Sequence, residues 1–347
     1  MPSVRETVAE MVQYVFPQYA GAPGQIYGGR MMEWIATAGT LAASRVARGP
    51  VTVGSMDEID FLHPVRVGEI AILRARVEYV GRTSLEVGVR VYSEKPATGE
   101  RHATLSSHMA FVAIDEAGHP RPVGASIAPA DPGEAAVVEA AQARRASRRA
   151  RLASRAERAN EVADETEGFR WRFEQQRFVF PEDALHGTLM FAGRLLLTVD
   201  EVAAILAVRY ARAPLVTGSM DALEFYAPIR VGDLLTLRGA LTRVGTRSME
   251  VEIQVLAEAP LSGDVRHACT TYLAFVGLPG ARGPLPPLAA VSPAEQRERD
   301  AADKRQAARV ARVRGLKERL GSDLDFWRFA ERPGRSSKSH SLTPREG

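Results

Sequence analysis

Residues 29–46 carry apolar side chains at Met31, Met32, Ile35, Ala38, Leu41 and Ala42, the spacing of one helix face. Residues 193–209 are apolar nearly all round, as in a helix buried on most sides. After each helix the period changes to two. Ala71, Leu73, Ala75, Val77 and Tyr79 share one parity while Arg74, Arg76 and Glu78 take the other; Leu235, Leu237, Gly239 and Leu241 repeat the scheme. "YVGRTS" (79–84) and "RVGTRS" (243–248) read as turns between successive antiparallel strands. Each half of the chain therefore predicts an α+β unit, a long helix followed by an antiparallel meander that covers it.

The two halves are copies of one another. "VTVGSMDEIDFLHPVRVGE" (51–69) recurs without a gap as "LVTGSMDALEFYAPIRVGD" (215–233), an offset of 164 positions. The same offset lays Gly29 on Gly193, Met32 on Leu196 and Ala36 on Asp200. Duplication accounts for the 347 residues as two domains, at 1–125 and 176–282. Each is followed by a segment rich in Ala, Arg and Glu, at 126–175 and 283–330, which is helix-prone and flanks its domain. Residues 331–347 have almost nothing apolar to bury and are expected to be disordered.

Composition narrows the field mainly by exclusion. No run of eighteen apolar residues and no charged start with an apolar h-region is present, so neither a membrane span nor a signal peptide is expected, and a cytoplasmic protein is the simplest reading. Cys269 is the sole cysteine, a small core residue without a partner for a disulfide or a thiolate metal site. The histidines lack metal-ligand spacing, "RHA" (101–103 and 266–268) reads as a structural strand position, and no metal or cofactor is expected. Arg144, Arg145, Arg148, Arg149, Arg151, Arg155 and Arg158 are the one feature pointing toward nucleic acid. They spread round much of a helix, Glu157 and Glu161 follow, and the net charge is only +3, so the reading is a solvated connector helix, with no nucleic acid and no membrane as partner. Neither a Gly-x-Ser-x-Gly elbow nor a P-loop occurs.

Gly28-Gly29 leading into "MEWIATAGTLAASR", then "VTVGSMDEIDFLHPVRVGE", then "VGRTSLEV", resembles the acyl-CoA thioesterase branch of the hotdog-fold superfamily. Both copies match, and the tandem arrangement is similar to the double-hotdog cytosolic acyl-CoA hydrolases. The resemblance implies a central helix wrapped by a curved antiparallel sheet in each copy, the copies paired edge to edge, and a homo-oligomer of double hotdogs, a trimer being one form. It also implies an acyl-CoA substrate, with coenzyme A entering as part of that substrate. In the family an Asp inside the central helix and an Asn in the preceding loop, from opposite halves, hydrolyse the thioester. The Asp position falls on Asp200 and Ala36, and the Asn position on Gly21 and Leu185, with His186 beside the latter. One Asp is present and neither Asn is.

The residues themselves point the same way. Asp200 stands beside Leu196, Leu197, Ala203 and Ala204, where an unpaired carboxylate costs several kcal/mol or is driven to protonate. It either satisfies neighbouring donors or does chemistry, and Ala36 in the other copy shows that such a helix does without a carboxylate. Its chemical role is general base toward water, with direct nucleophile the less favoured alternative. Glu201, about 100° round the helix, is a polar rim residue. Gly28 and Gly29, and Gly193 in the second copy, either offer helix-start amides to a developing oxyanion or simply permit close packing. Gln25 is the nearest side-chain amide able to stand in for the Asn. Arg82 with Ser84, or Arg247 with Ser248, either reach the CoA phosphates or are displayed to solvent on turns. Hydrolysis of acyl-CoA at one asymmetric site is the leading expectation. Recognition of acyl-CoA without turnover is the alternative.

Overall fold

The computed structural model describes residues 1–21, 24–278 and 284–322. The expected tail, 331–347, lies outside the described residues. In the first half the order is β1 (Ala9–Tyr14), β2 (Ala20–Gly21), β3 (Gln25–Ile26), α1 (Gly28–Ala47), β4 (Val51–Met56), β5 (Ile59–Asp60), β6 (Ile70–Val80), β7 (Ser84–Glu94) and β8 (Arg101–Ala113). Then come α2 (Pro132–Arg151) and α3 (Arg155–Arg158). The second half repeats the order with β9 (Arg172–Phe178), β10 (Ala184–His186), β11 (Leu189–Met190), α4 (Ala192–Ala211), β12 (Leu215–Met220), β13 (Leu223–Glu224), β14 (Leu234–Val244), β15 (Ser248–Ala259) and β16 (Asp264–Gly277). α5 (Pro293–Ser322) follows.

Each half is a hotdog, a six-stranded antiparallel sheet around one long helix. The strand orders are β1-β6-β7-β8-β4-β13 and β5-β12-β16-β15-β14-β9. Each sheet borrows its last short strand from the other half. Leu223 lies opposite Met56 in the first sheet, and Ile59 opposite Met220 in the second. α1 and α4 also pack on one another, so a single core of buried side chains runs through both halves. Both helices end on an arginine in the left-handed region, Arg48 and Arg212, each at φ 51°. Pro50 and Pro214 stand two residues later, where a helix cannot continue.

Two features depart from expectation. A strand precedes each central helix: β1 and β9 form the outer edges of the sheets, and β9 begins inside the segment 126–175 expected to be helical. "RFEQQRF" exposes Arg172, Glu174, Gln176 and Phe178 on one parity and only half-buries Phe173, Gln175 and Arg177 on the other, so this edge strand carries no clear apolar alternation. The arginine run is the second. α2, capped by Asp131 with Pro132 in its first turn, does not lie free in solvent. Arg148, only 3 % exposed, sends one nitrogen to both oxygens of Glu86 (2.8 and 2.6 Å) and another to Asp57 (2.8 Å), and Arg144 pairs with Glu78. α5 repeats the device, with Arg309 on Asp221 (2.8 and 2.7 Å) and Arg305 on Glu250 (2.7 Å). One turn further along each helix the pairing crosses between halves: Arg151 reaches Glu224 and Arg312 reaches Asp60, both at 2.6 Å. The run reads as surface in the sequence because its partners are carboxylates distant along the chain.

Burial holds the Glu86 carboxyl above its ordinary range even though Arg148 pulls it down. Removing the cation leaves two carboxylates together with no partner. Arg148→Ala is expected to lower unfolding free energy by about 3–5 kcal/mol, read from urea denaturation, with most of the loss recovered in Arg148→Met/Glu86→Leu.

Candidate active site

The starts of the two central helices meet side by side. A Cβ on Gly29 would stand 3.1 Å from the Leu197 backbone and 3.0 Å from Cβ of Asp200, tight enough that the neighbouring helix would have to give by a few tenths of an ångström. The closeness brings the Gly29 N–H within 2.7 Å of Oδ2 of Asp200, to which it donates. The Thr217 hydroxyl, from β12, donates to Oδ1 at 2.8 Å. The Tyr27 hydroxyl is a third partner of the carboxylate, contributed by the residue just before α1. Asp200 is 0 % exposed. Burial raises its pKa to about 6, against the three donors, which pull it down; the Glu201 charge adds a smaller push upward. Burial, reinforced by Asp200 and Glu201, holds the Tyr27 phenol far above its ordinary value, so it remains a donor.

A groove of roughly 840 Å³ opens beside this cluster. Its floor is α4 at Leu197, Ala204, Ile205 and Val208; Tyr19 and Tyr27 form the facing wall. Glu201 is exposed at its edge, as a rim residue should be.

The remaining candidates are dispersed. Gln25 lies on β3 in the ribbon leading to α1, its backbone bridged to Arg66, and it is not among the hydrogen-bond partners of Asp200. Gly21, at the position of the family's loop amide, sits against Tyr27: a Cβ there would be 3.3 Å from the Tyr27 ring. Leu185 and His186 are exposed. Gly28 is held small by Thr217, whose Oγ1 would be 2.5 Å from an added Cβ. Gly193 begins the second helix beside Phe191 and Glu33. Arg82 and Arg247 are exposed on turns, Ser84 and Ser248 start β7 and β15, and none of the four borders the groove. Cys269 is buried, its thiol pushed up to about 12. Glu161, Glu165 and His267 bring ligand-type atoms within 4.8 Å of one another, but both His267 ring nitrogens already face protein partners, the Arg158 carbonyl and Thr270.

Thr217 and Tyr27 escaped the sequence reading, although the repeat carries the signal. At the offset that lays Asp200 on Ala36, Thr217 falls on Val53 and Tyr27 on Phe191. The carboxylate and both side chains that hydrogen-bond to it are replaced together, each by an apolar residue of similar shape or smaller.

A tandem hotdog with a buried carboxylate at the junction of its halves defines the class of protein. The Thioesterase superfamily description matches residues 23–100 and 187–263, once in each half. The chain is 26% identical over 281 residues to the human (Homo sapiens) cytosolic acyl coenzyme A thioester hydrolase, covering 76% of this chain and 72% of that protein. To the acyl-CoA thioester hydrolase YciA of Salmonella typhimurium it is 32% identical over 110 residues, 31% of this chain and 83% of that one. Among solved structures, the acyl-CoA hydrolase from Staphylococcus aureus in complex with butyryl coenzyme A is 30% identical with a TM-score of 0.41, covering 44% of this chain and 93% of that one. The chain belongs to the thioesterase superfamily.

Because the pKa of Asp200 is higher folded than unfolded, the folded chain holds this proton longer as pH rises. Its contribution to stability is full below about pH 4 and is lost as pH passes through about 6, an effect of up to ~3 kcal/mol for a rise from 3.8 to about 6. The unfolding free energy of the wild type should therefore fall relative to Asp200→Asn between pH 4 and pH 7.5, as measured by denaturant titrations of both proteins at each pH.

Proposed function

We propose that this protein hydrolyses acyl-CoA thioesters at a single asymmetric site, with Asp200 as general base. One observation carries the reading: a wholly buried carboxylate at the junction of the halves, beside an open groove, with the carboxylate and both side chains that hydrogen-bond to it replaced in the other copy. A pKa near 6 leaves Asp200 ionised at neutral pH yet basic enough to take a proton from water. The water oxygen adds to the acyl carbon as its proton passes to Asp200. The C–S bond then breaks, the proton goes to the departing CoA sulfur, and a carboxylic acid remains. Negative charge on the thioester oxygen develops at the start of α1, where the helix dipole favours it.

Gly21 and Leu185 leave the family's loop amide without a counterpart, and Tyr27 stands in its place. Its ring fills the space beside Gly21 and its hydroxyl orients the Asp200 carboxylate. The reading extends to self-association through exposed aromatic pairs, Tyr14 with Phe16 and, at the same offset, Phe178 with Phe180. No helix among the described residues is long and apolar enough to cross a membrane.

Thiol release from short, medium and long acyl-CoAs should fall by about a hundredfold or more in Asp200→Asn. Tight binding of acyl-CoA by the wild type with no release from any substrate would replace hydrolysis by recognition alone. In Tyr27→Phe, whose ring the fold already accepts at Phe191, the acidic limb of the kcat/KM profile should move to higher pH, because the carboxylate loses a donor. An unmoved limb would show that Tyr27 only packs.

A further inference from the structure

A cavity of roughly 560 Å³ opens on the outer face of the second sheet, between the chain that leads into β9 and the start of α5. Three carboxyl groups from distant segments border it: Glu165 from that chain, Glu252 from β15 and Glu298 from α5. Glu252 is only 5 % exposed, and no donor among the described residues hydrogen-bonds to it; the group it faces is a second carboxyl, Glu165. A buried carboxylate is costly unless a cation answers it, and the nearby arginines are committed elsewhere. Arg305 bonds to Glu250 and Glu298, Arg158 lies over the Tyr226 ring and pairs with Glu161, and Arg297 is exposed.

Thr270, also in the wall, adds a further oxygen. His267 is wholly buried, and because a carbonyl only accepts, its Nδ1–H donates to the Arg158 carbonyl at 3.2 Å. Burial favours the neutral ring, whose Nε2 then accepts the one hydroxyl proton of Thr270 at 2.8 Å. Thr270 Oγ1 is left 3.1 Å from Glu165 Oε2, lone pairs toward a carboxyl oxygen. The first copy is the control. The 164-residue offset lays Glu165 on Met1 and Glu252 on Gly88, and matching Arg309 to Arg148, an offset of 161, lays Glu298 on Val137. None of the three is acidic there, and that sheet's own buried carboxylate, Glu78, is answered by Arg76 and Arg144.

We propose that this cavity is a divalent-cation site, with Glu165, Glu252 and Glu298 as carboxylate ligands and the Thr270 hydroxyl as a neutral one. Ligation by oxygen alone, at high negative charge, suits a hard cation of the magnesium, calcium and manganese class, and the cavity has room for the waters that complete its shell. The ion ties the connector, the sheet and α5 together at one point. It stands apart from hydrolysis, since α4, which carries Asp200, packs on the opposite face of that sheet. The expectation of no metal rested on cysteine and histidine spacing, to which a carboxylate site drawn from three segments is invisible.

Mn²⁺ serves as the probe. The full chain, treated with a chelator that is then removed, is titrated with Mn²⁺ while the free ion is followed by electron paramagnetic resonance. One ion should bind per chain, Mg²⁺ or Ca²⁺ should compete for the site, and the melting temperature should rise on binding. Glu252→Gln and Glu298→Gln keep the side-chain shape and should each weaken Mn²⁺ binding by about tenfold or more. Circular dichroism of both variants establishes that they are folded. No bound Mn²⁺ at millimolar concentration, or binding that Glu252→Gln leaves unchanged, overturns the site.

Discussion

The near-contact of two helix backbones at Gly29 governs the rest of the molecule. A glycine lets α1 approach Leu197 and Asp200 so closely that an added Cβ would stand only 3.0–3.1 Å from them. That approach turns a buried carboxylate, otherwise costly, into one held by a main-chain donor from the opposite half. Burial and hydrogen bonding act on Asp200 in opposite directions. Burial wins by enough to place the pKa at about 6, a value suited to accepting a proton near neutrality. A looser junction would admit water and lower it. A drier one without Thr217 and Tyr27 would leave the acid protonated.

The arginine-rich helices serve that junction from outside. α2 and α5 lie on the outer faces of the sheets, each through a buried arginine on the aspartate of a "GSMD" turn, and each then reaches across to the short strand that the other half has lent. Such ion pairs add little net stability once desolvation is counted, but their geometry is demanding. They tie each flanking helix to the strand, β5 or β13, that crosses between the halves.

Much of this was legible in the sequence because periodicity and repetition report it directly. The two helices, the meanders and the duplication at a fixed offset follow from apolar spacing and self-similarity, and the contrast of Ala36 with Asp200 is visible by inspection. Features that depend on direction or on distant partners were not. Val53 against Thr217 and Phe191 against Tyr27 are differences of one hydroxyl or one methyl, and only the fold shows that all of them point to one carboxylate. β9 begins inside the segment read as helical because this edge strand has no fully buried face to betray it. Arg148 reads as solvated because Glu86 and Asp57 lie far back along the chain.

The linker between the copies has a consequence beyond tethering. In a dimer assembled from two identical single-domain chains, every codon is expressed on both sides of the symmetry axis, so a change that disarms one cleft disarms its twin. Fusion into one reading frame removes that constraint. This chain carries Ala36, Val53 and Phe191 at one junction and Asp200, Thr217 and Tyr27 at the other, so the two junctions are separately mutable traits of a single gene.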